Sequence, residues 1–282
     1  MENFNQNRPA ISEQAIENFI NAAAEGSEVD KLMRGCRVDM TEGCADPNFL
    51  LNMWGVGFLP FGSLCVVCGQ AKQGKSQFVN ILASVIMSGQ RFGELCRGYA
   101  PGGGVLWIDT EQGVYNIHKN IQRLAHLCGY DDAADTGQYG LNVYETAPLT
   151  PEQRIEIINA AIEKHAPGIL VIDGIRDLLY NFNDEKESIA LVSWLMQLQA
   201  RGDMTIICVI HTNEGTNKMR GHLGSELANK VCDRFMVCRQ DRHFNVDHIS
   251  RNDTISRLSF HFDADGNLRP WADDAPDNKG RK

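Results

Sequence analysis

One stretch constrains the fold more than any other. Gly69-Gln70-Ala71-Lys72-Gln73-Gly74-Lys75-Ser76 fits the phosphate-loop pattern G-x-x-x-x-G-K-[ST]. Before it, Leu64-Cys65-Val66-Val67-Cys68 reads as a buried strand. After it, Phe78, Ile81, Leu82, Val85 and Ile86 recur at helical spacing over Ser76 to Ser88. A strand, a tight glycine turn and a helix N-terminus aim backbone N–H groups and the helix dipole at one point, where a triphosphate can sit. Glycine at 69 and 74 lets the backbone approach the phosphates. Lys75 is placed to reach the β- and γ-phosphates and Ser76 to ligate Mg²⁺. Gln70, Ala71, Lys72, Gln73 and the following Gln77 complete the expected cradle for ATP.

The rest of the chain repeats this alternation. Val105–Asp109, Leu141–Tyr144, Ile169–Asp173 and Thr205–Ile210 are apolar runs of the kind that both-face burial in a parallel sheet produces. Helices are expected between them, from about Val114 to Leu127, Pro151 to His165 and Ser188 to Ala200, so right-handed crossovers and a mainly parallel sheet follow. From about Arg234 the pattern becomes half-polar. Arg234–Cys238 and Ile255–Phe262 read as an antiparallel extension, and Asp263–Asn267 as a turn. Near the N-terminus, Ile11 to Met33 carries helical periodicity with Ser12 as N-cap; such a helix must pack on the main domain or on a neighbouring subunit. Phe49 to Phe61 is an apolar, glycine-broken lead into the first strand. The boundaries read as an N-terminal helical extension and connector over 1–46, a main domain over 47–270, and a polar tail over 271–282 expected to be disordered.

Composition removes several classes. No run is long enough to span a bilayer, and no signal peptide opens the chain, so a cytoplasmic location without membrane contact is the expectation. The nine cysteines lie scattered, many in apolar runs, as reduced core thiols do. Cys65 and Cys68 are spaced like half a metal site, but three residues apart on a strand they face opposite ways. The net charge of −9 argues against a basic coat, yet a ring or cleft can still concentrate its few cations on one face.

Three carboxylates and a histidine end these strands. Asp173 is where a second Mg²⁺-supporting group is needed. In a parallel sheet the carboxyl ends of neighbouring strands line one crevice, which brings Glu111, Asp173 and His211 beside the phosphates. Glu111 is the preferred base for the attacking water. Asp109, two residues earlier on the same side of an extended strand, is the competitor.

Leu59-Pro60-x-Gly62 before the strand, a glutamate after the second strand, an aspartate ending the next motif strand and a histidine ending the one after resemble the RecA-like ATPases. Within them the chain most resembles the RepA-type hexameric helicases of plasmids, with DnaB-type helicases and KaiC/RadA-type ATPases further off. The resemblance runs from about Pro60 to Phe235. It implies an α/β fold with a RecA-like P-loop NTPase core, ATP and Mg²⁺ as cofactors, and Lys75, Ser76, Glu111 and Asp173 in the roles above. It further implies His211 as γ-phosphate sensor, Arg123 against the nucleotide base, and Arg234 as the arginine finger given to a neighbouring subunit, with Arg220 a competing finger. Lys72 inside the loop and a long Glu111–Arg123 spacing depart from the plasmid helicases.

The first expectation is therefore a homo-oligomeric ATPase, a hexameric ring, acting on single-stranded DNA. The loops Arg176–Lys186 and Asn213–Leu223 would face the channel, with Lys218, Arg220 and His222 on the strand's phosphates. The alternative is a KaiC/RadA-like ATPase that switches partner binding without unwinding. A small-molecule kinase would need an arginine-rich lid, and the loops contain no such cluster.

Overall fold

Two strands of a small sheet precede the phosphate-loop strand, in the stretch that the sequence marks as an apolar, glycine-broken lead. The computed structural model describes residues 27–38, 41, 46–131 and 135–271. The chain divides into two compact units, Met1–Asp46 and Pro47–Lys282. In the first, α1 (Glu28–Cys36) starts at a capping box in which Ser27 and Asp30 satisfy each other's backbone N–H groups. The expected helix from Ile11 lies mostly outside the described residues. Its continuation through Ser27 is corrected, because Ser27 is extended and begins a helix of its own. The tail beyond residue 271 also lies outside the described residues.

The second unit opens with β1 (Phe49–Met53) and β2 (Val56–Pro60), paired antiparallel with Met53 opposite Val56. The two-residue turn Trp54-Gly55 has positive φ at both positions, the geometry that matches hairpin twist. β3 (Leu64–Gly69) then enters the main sheet, and the phosphate loop leads into α2 (Lys75–Ser88). A short β4 (Leu95–Arg97) returns to pair with β1, closing the three-stranded sheet. β5 (Val105–Asp109), α3 (Val114–Cys128), β6 (Leu141–Glu145), α4 (Pro151–His165), β7 (Ile169–Asp173), α5 (Glu185–Gln199) and β8 (Thr205–His211) follow the expected alternation. α5 starts earlier than its apolar pattern suggests because Asp184 caps it, accepting from Glu187 N–H at 2.9 Å.

After β8 the sequence reading needs three corrections. A tight hairpin pairs Thr212 with Met219, and α6 (Gly221–Lys230) follows at once. The expected loop to Leu223 therefore ends at Arg220, and His222 lies on a helix. Next, β9 (Asp233–Gln240) joins the antiparallel extension as expected, but its other edge runs parallel to β3. Finally, β10 (His243–Ser250) was not foreseen, and β11 (Leu258–Phe262) and β12 (Leu268–Pro270) complete the antiparallel part.

The sheet order is β12-β11-β10-β9-β3-β8-β7-β5-β6. Alternate residues of its central strands enter two cores. Cys65, Val67, Trp107, Val171 and Val209 pack under α2 and α3, while Leu64, Val66, Cys68, Ile108, Ile172 and Cys208 pack under α4, α5 and α6. This is the double-sided burial that continuous apolar strands require, and it places Cys65 and Cys68 in different cores. The described cysteines are free thiols, and burial pushes the Cys68 and Cys128 thiols up to about 12. Phe78 of α2 packs against Phe235 and Phe260, ring centroids 5.3 and 6.5 Å away. All three rings are fully buried, each contributing about 1.5–3 kcal/mol.

A polar tie fastens the small sheet to the large one. Asp233, buried at the start of β9, accepts from His248 Nε2 at 2.7 Å and from the Leu59 N–H at 3.1 Å. His248 Nδ1 in turn accepts from the Ile255 N–H at 3.1 Å, so its proton resides on Nε2.

Candidate nucleotide and hydrolysis site

Register decides which side chains meet. Gly69 pairs with His211, Asp173 with Val209, and Asp109 with Asp173. The ends of β3, β8, β7 and β5 therefore lie side by side at one edge of the sheet. There a cleft of about 480 Å³ is lined by Lys72–Gln77, Glu111, Gln112, Arg123, Asp173 and His211. From the other flank Arg239, Phe244 and Phe262 line it too.

The phosphate loop has its form from two conformations at its turns. Gly74, the residue before α2, has φ +87°, and a Cβ there would lie 2.7 Å from the Phe244 ring. Only glycine satisfies both. Lys72 also takes a left-handed φ of 61°, uncommon for a residue with a side chain, and this exposes its ammonium to solvent. Gln73 Oε1 accepts from the backbone N–H of Arg239, tying the loop to β9.

Lys75 is buried and its Nζ donates to Gln70 O at 2.9 Å and to His211 Nδ1 at 3.1 Å. Burial lowers its pKa, and Asp173 and Glu111 oppose that. With Nδ1 accepting, His211 presents Nε2–H toward Glu111, 3.3 Å away. Lys75, His211 and Glu111 thus form one chain of contacts across the mouth of the cleft. The His211 hydrogen bond holds the Glu111 carboxyl below its usual range despite desolvation, with Lys75 and Arg176 adding to the effect. Glu111 is therefore ionised and accessible, 39% exposed, as a base for a water requires.

Asp109 is differently placed. It is buried, and its carboxylate accepts from Glu111 N–H, Gln112 N–H and Gln112 Nε2 at 3.1, 2.7 and 3.0 Å. Burial lifts its pKa to about 6. Those bonds turn the chain out of β5 immediately after Asp109, so Glu111 does not share a strand face with it, as sequence spacing suggested. Asp109 shapes the turn that presents Glu111.

Ser76 Oγ donates to Asp173 Oδ2 at 2.6 Å. Burial pushes the Asp173 carboxyl up to about 7, with Asp109 and Glu111 adding to the effect and Ser76 and Lys75 opposing it. A buried carboxylate beside a hydroxyl, with two further carboxylates near, is short of a cation, and this donor set fits Mg²⁺. Among the described residues no group of three or more His, Cys, Asp or Glu side chains is placed to hold a metal ion. Ser76, Asp173, water and nucleotide phosphates would then form the coordination, as hard, poorly dehydrated Mg²⁺ favours.

The remaining candidates fall in different places. The Arg123 guanidinium lies over the Phe262 ring, 5.4 Å from its centroid, within the cleft. Gln77 lines the cleft, but its Nε2 donates to Asn120 Oδ1 at 2.9 Å in the α2–α3 contact. Arg234 sits opposite Val66 on β9, short of the loop, and Arg220 stands before α6; neither lines the cleft. Lys218, Arg220 and His222 are exposed around the hairpin.

Four contributors escaped the sequence reading. Phe244, Phe262 and Arg239 come from strands whose approach depends on sheet order, and no local pattern marks them. Gly174 had a weak signal in following Asp173 directly. A Cβ at Gly174 would collide with the Glu111 carboxylate, so its bareness makes room for that group.

A protein-family model described as AAA domain matches residues 47–217, more than half of the chain. The match ends in the hairpin after β8, so the aromatic flank of the cleft lies beyond it. No curated protein matches the sequence.

Proposed function

Because the chain belongs to the AAA domain family and is on that account a P-loop ATPase, we propose that it is a homo-oligomeric, RecA-fold motor acting on single-stranded nucleic acid. The nearest description is a RepA-like replicative helicase or helicase-like protein of a mobile element. One observation carries the hydrolytic part. Lys75, Ser76, Glu111, Asp173 and His211 converge at the carboxyl edge of four adjacent parallel strands, with Glu111 ionised and open to solvent.

In this reading the loop and Lys75 bind the phosphates, and Lys75 exchanges its Gln70 and His211 partners for phosphate oxygens. Ser76 would hold Mg²⁺ with Asp173 in support, and the ion would supply charge neutralisation on the phosphates. Glu111 takes the proton of the attacking water. His211, released by Lys75, senses the phosphate and passes its state to the hairpin 212–220 and the first turn of α6, where Lys218, Arg220 and His222 meet the strand. Arg234 is the finger for the neighbouring subunit's nucleotide, with Arg220 its competitor. A finger contributes about a thousandfold or more in rate.

The test is ATP turnover with and without single-stranded DNA, in wild type and variants. Glu111→Gln should keep nucleotide and lose turnover by about a hundredfold or more. Lys75→Ala and Arg234→Ala, each dead alone, should regain activity when mixed, because some intact pockets then face intact fingers. Turnover indifferent to single strands would replace the motor by the KaiC/RadA-like switch. A fully active Glu111→Gln would remove Glu111 from the base role.

A further inference from the structure

Two guanidinium groups lie over the ring of Phe182. Arg176 is 4.8 Å from its ring centroid and Arg220 is 4.9 Å away. The three residues come from separate stretches: the short helical turn Ile175–Leu178 after β7, the loop before α5, and the end of the hairpin after β8. They are pressed together, since a Cβ on Gly221 would stand 2.7 Å from Phe182 O.

Contacts lead from each guanidinium back to Glu111. Arg176 Nη1 donates to Asp177 Oδ1 at 2.8 Å, and Asp177 Oδ2 stands 3.2 Å from Thr110 Oγ1, whose single hydrogen it shares with Gly174 O at 2.8 Å; Thr110 is the residue before Glu111. On the other side the Arg220 N–H donates to His211 O at 3.0 Å, and His211 holds the Glu111 carboxylate. The two routes meet in the Phe182 ring, which closes the circuit. We propose that Phe182 is a positioning residue coupling the engagement of a strand phosphate by Arg220 to the Glu111–His211 pair. The proposal rests on the single-strand reading of the preceding subsection.

The physical basis is the ring quadrupole, whose negative face attracts a cation, while the two guanidinium cations gathered at one ring repel one another. Asp177 offsets Arg176 alone. Among the described residues Arg220 has the ring and no carboxylate for a partner. A phosphate arriving at Arg220 removes the repulsion, so Arg176 settles on the ring and its field at Glu111 changes. A ring that merely packed the loop would leave coupling untouched when replaced by an aliphatic side chain.

The experiment uses the full chain, a labelled single-stranded oligonucleotide at low salt, and ATP turnover with and without it. Phe182→Leu removes the quadrupole and Phe182→Tyr keeps it; Phe182→Met replaces the leucine variant should that one melt below the assay temperature. Expected is unstimulated turnover within about twofold of wild type, strand binding retained, and stimulation reduced about fivefold or more in Phe182→Leu. Phe182→Tyr restores it. In wild type the acid limb of the pH–rate profile moves when strand is added; in Phe182→Leu it does not. Stimulation of Phe182→Leu equal to wild type, with strand bound, overturns this coupling and leaves the single-strand reading standing. Failure of wild type itself to bind strand overturns both.

Discussion

Asp173→Asn should make the nucleotide-free protein more stable while abolishing hydrolysis. The Asp173 carboxyl titrates at about 7 in the fold, chiefly through burial, against about 3.9 in an unfolded chain. The folded state therefore binds this proton more tightly than the unfolded state. Stability is unaffected below about pH 4, falls as the pH rises toward about 7, and stays reduced above that. A difference of about three units corresponds to about 4 kcal/mol as an upper bound. Asparagine carries no charge and keeps an oxygen for the Ser76 hydroxyl. If relaxation of the site halves the penalty, the gain is about 2 kcal/mol, or about 4–8 °C in melting temperature for a domain of this size. Thermal unfolding of both proteins without nucleotide, at pH 5 and pH 8, reads this directly, and the gain should rise nearly threefold between the two. Mg²⁺ with a non-hydrolysable nucleotide should shrink the variant's advantage, since it stabilises the wild-type carboxylate. A gain that does not change with pH, or a loss at pH 8, would refute the claim that Asp173 is an uncompensated buried charge.

Two further substitutions probe the supports of the site. Gly174→Ala pushes the flexible end of Glu111 aside, so turnover should fall about tenfold or more with the melting temperature nearly unchanged; undiminished turnover would show that Glu111 has other room. His248→Leu leaves the buried Asp233 carboxylate with the Leu59 N–H as its remaining strong donor. Losing a hydrogen bond to a buried charged group costs about 1.5–3 kcal/mol, measurable by urea unfolding, and a loss below about 1 kcal/mol would mean that water replaces the imidazole.

The phosphate loop, the parallel α/β alternation and the strand-end residues Asp173 and His211 are legible in short windows of the chain. Each rests on local physics: glycine turns, apolar runs buried on two faces, and side chains at strand ends. α6 was hidden because the loop reading ran past Gly221 into its first turn. β1 and β2 were hidden because a glycine-broken apolar run reads equally as connector or hairpin, and β4 because three residues are too short for a periodic pattern. Choosing between Asp109 and Glu111 needed the turn that Asp109 itself builds, since sequence spacing put both on one face. Tertiary structure alone decided the rest of the site. Phe244 and Phe262 reach the cleft because β9 pairs parallel to β3 and carries the antiparallel strands to its flank. Arg176, Phe182 and Arg220 meet because β7 and β8 are neighbours, which brings the segments that leave them to the same edge of the sheet. Strand order is set by long-range burial and pairing, which no local window of residues encodes.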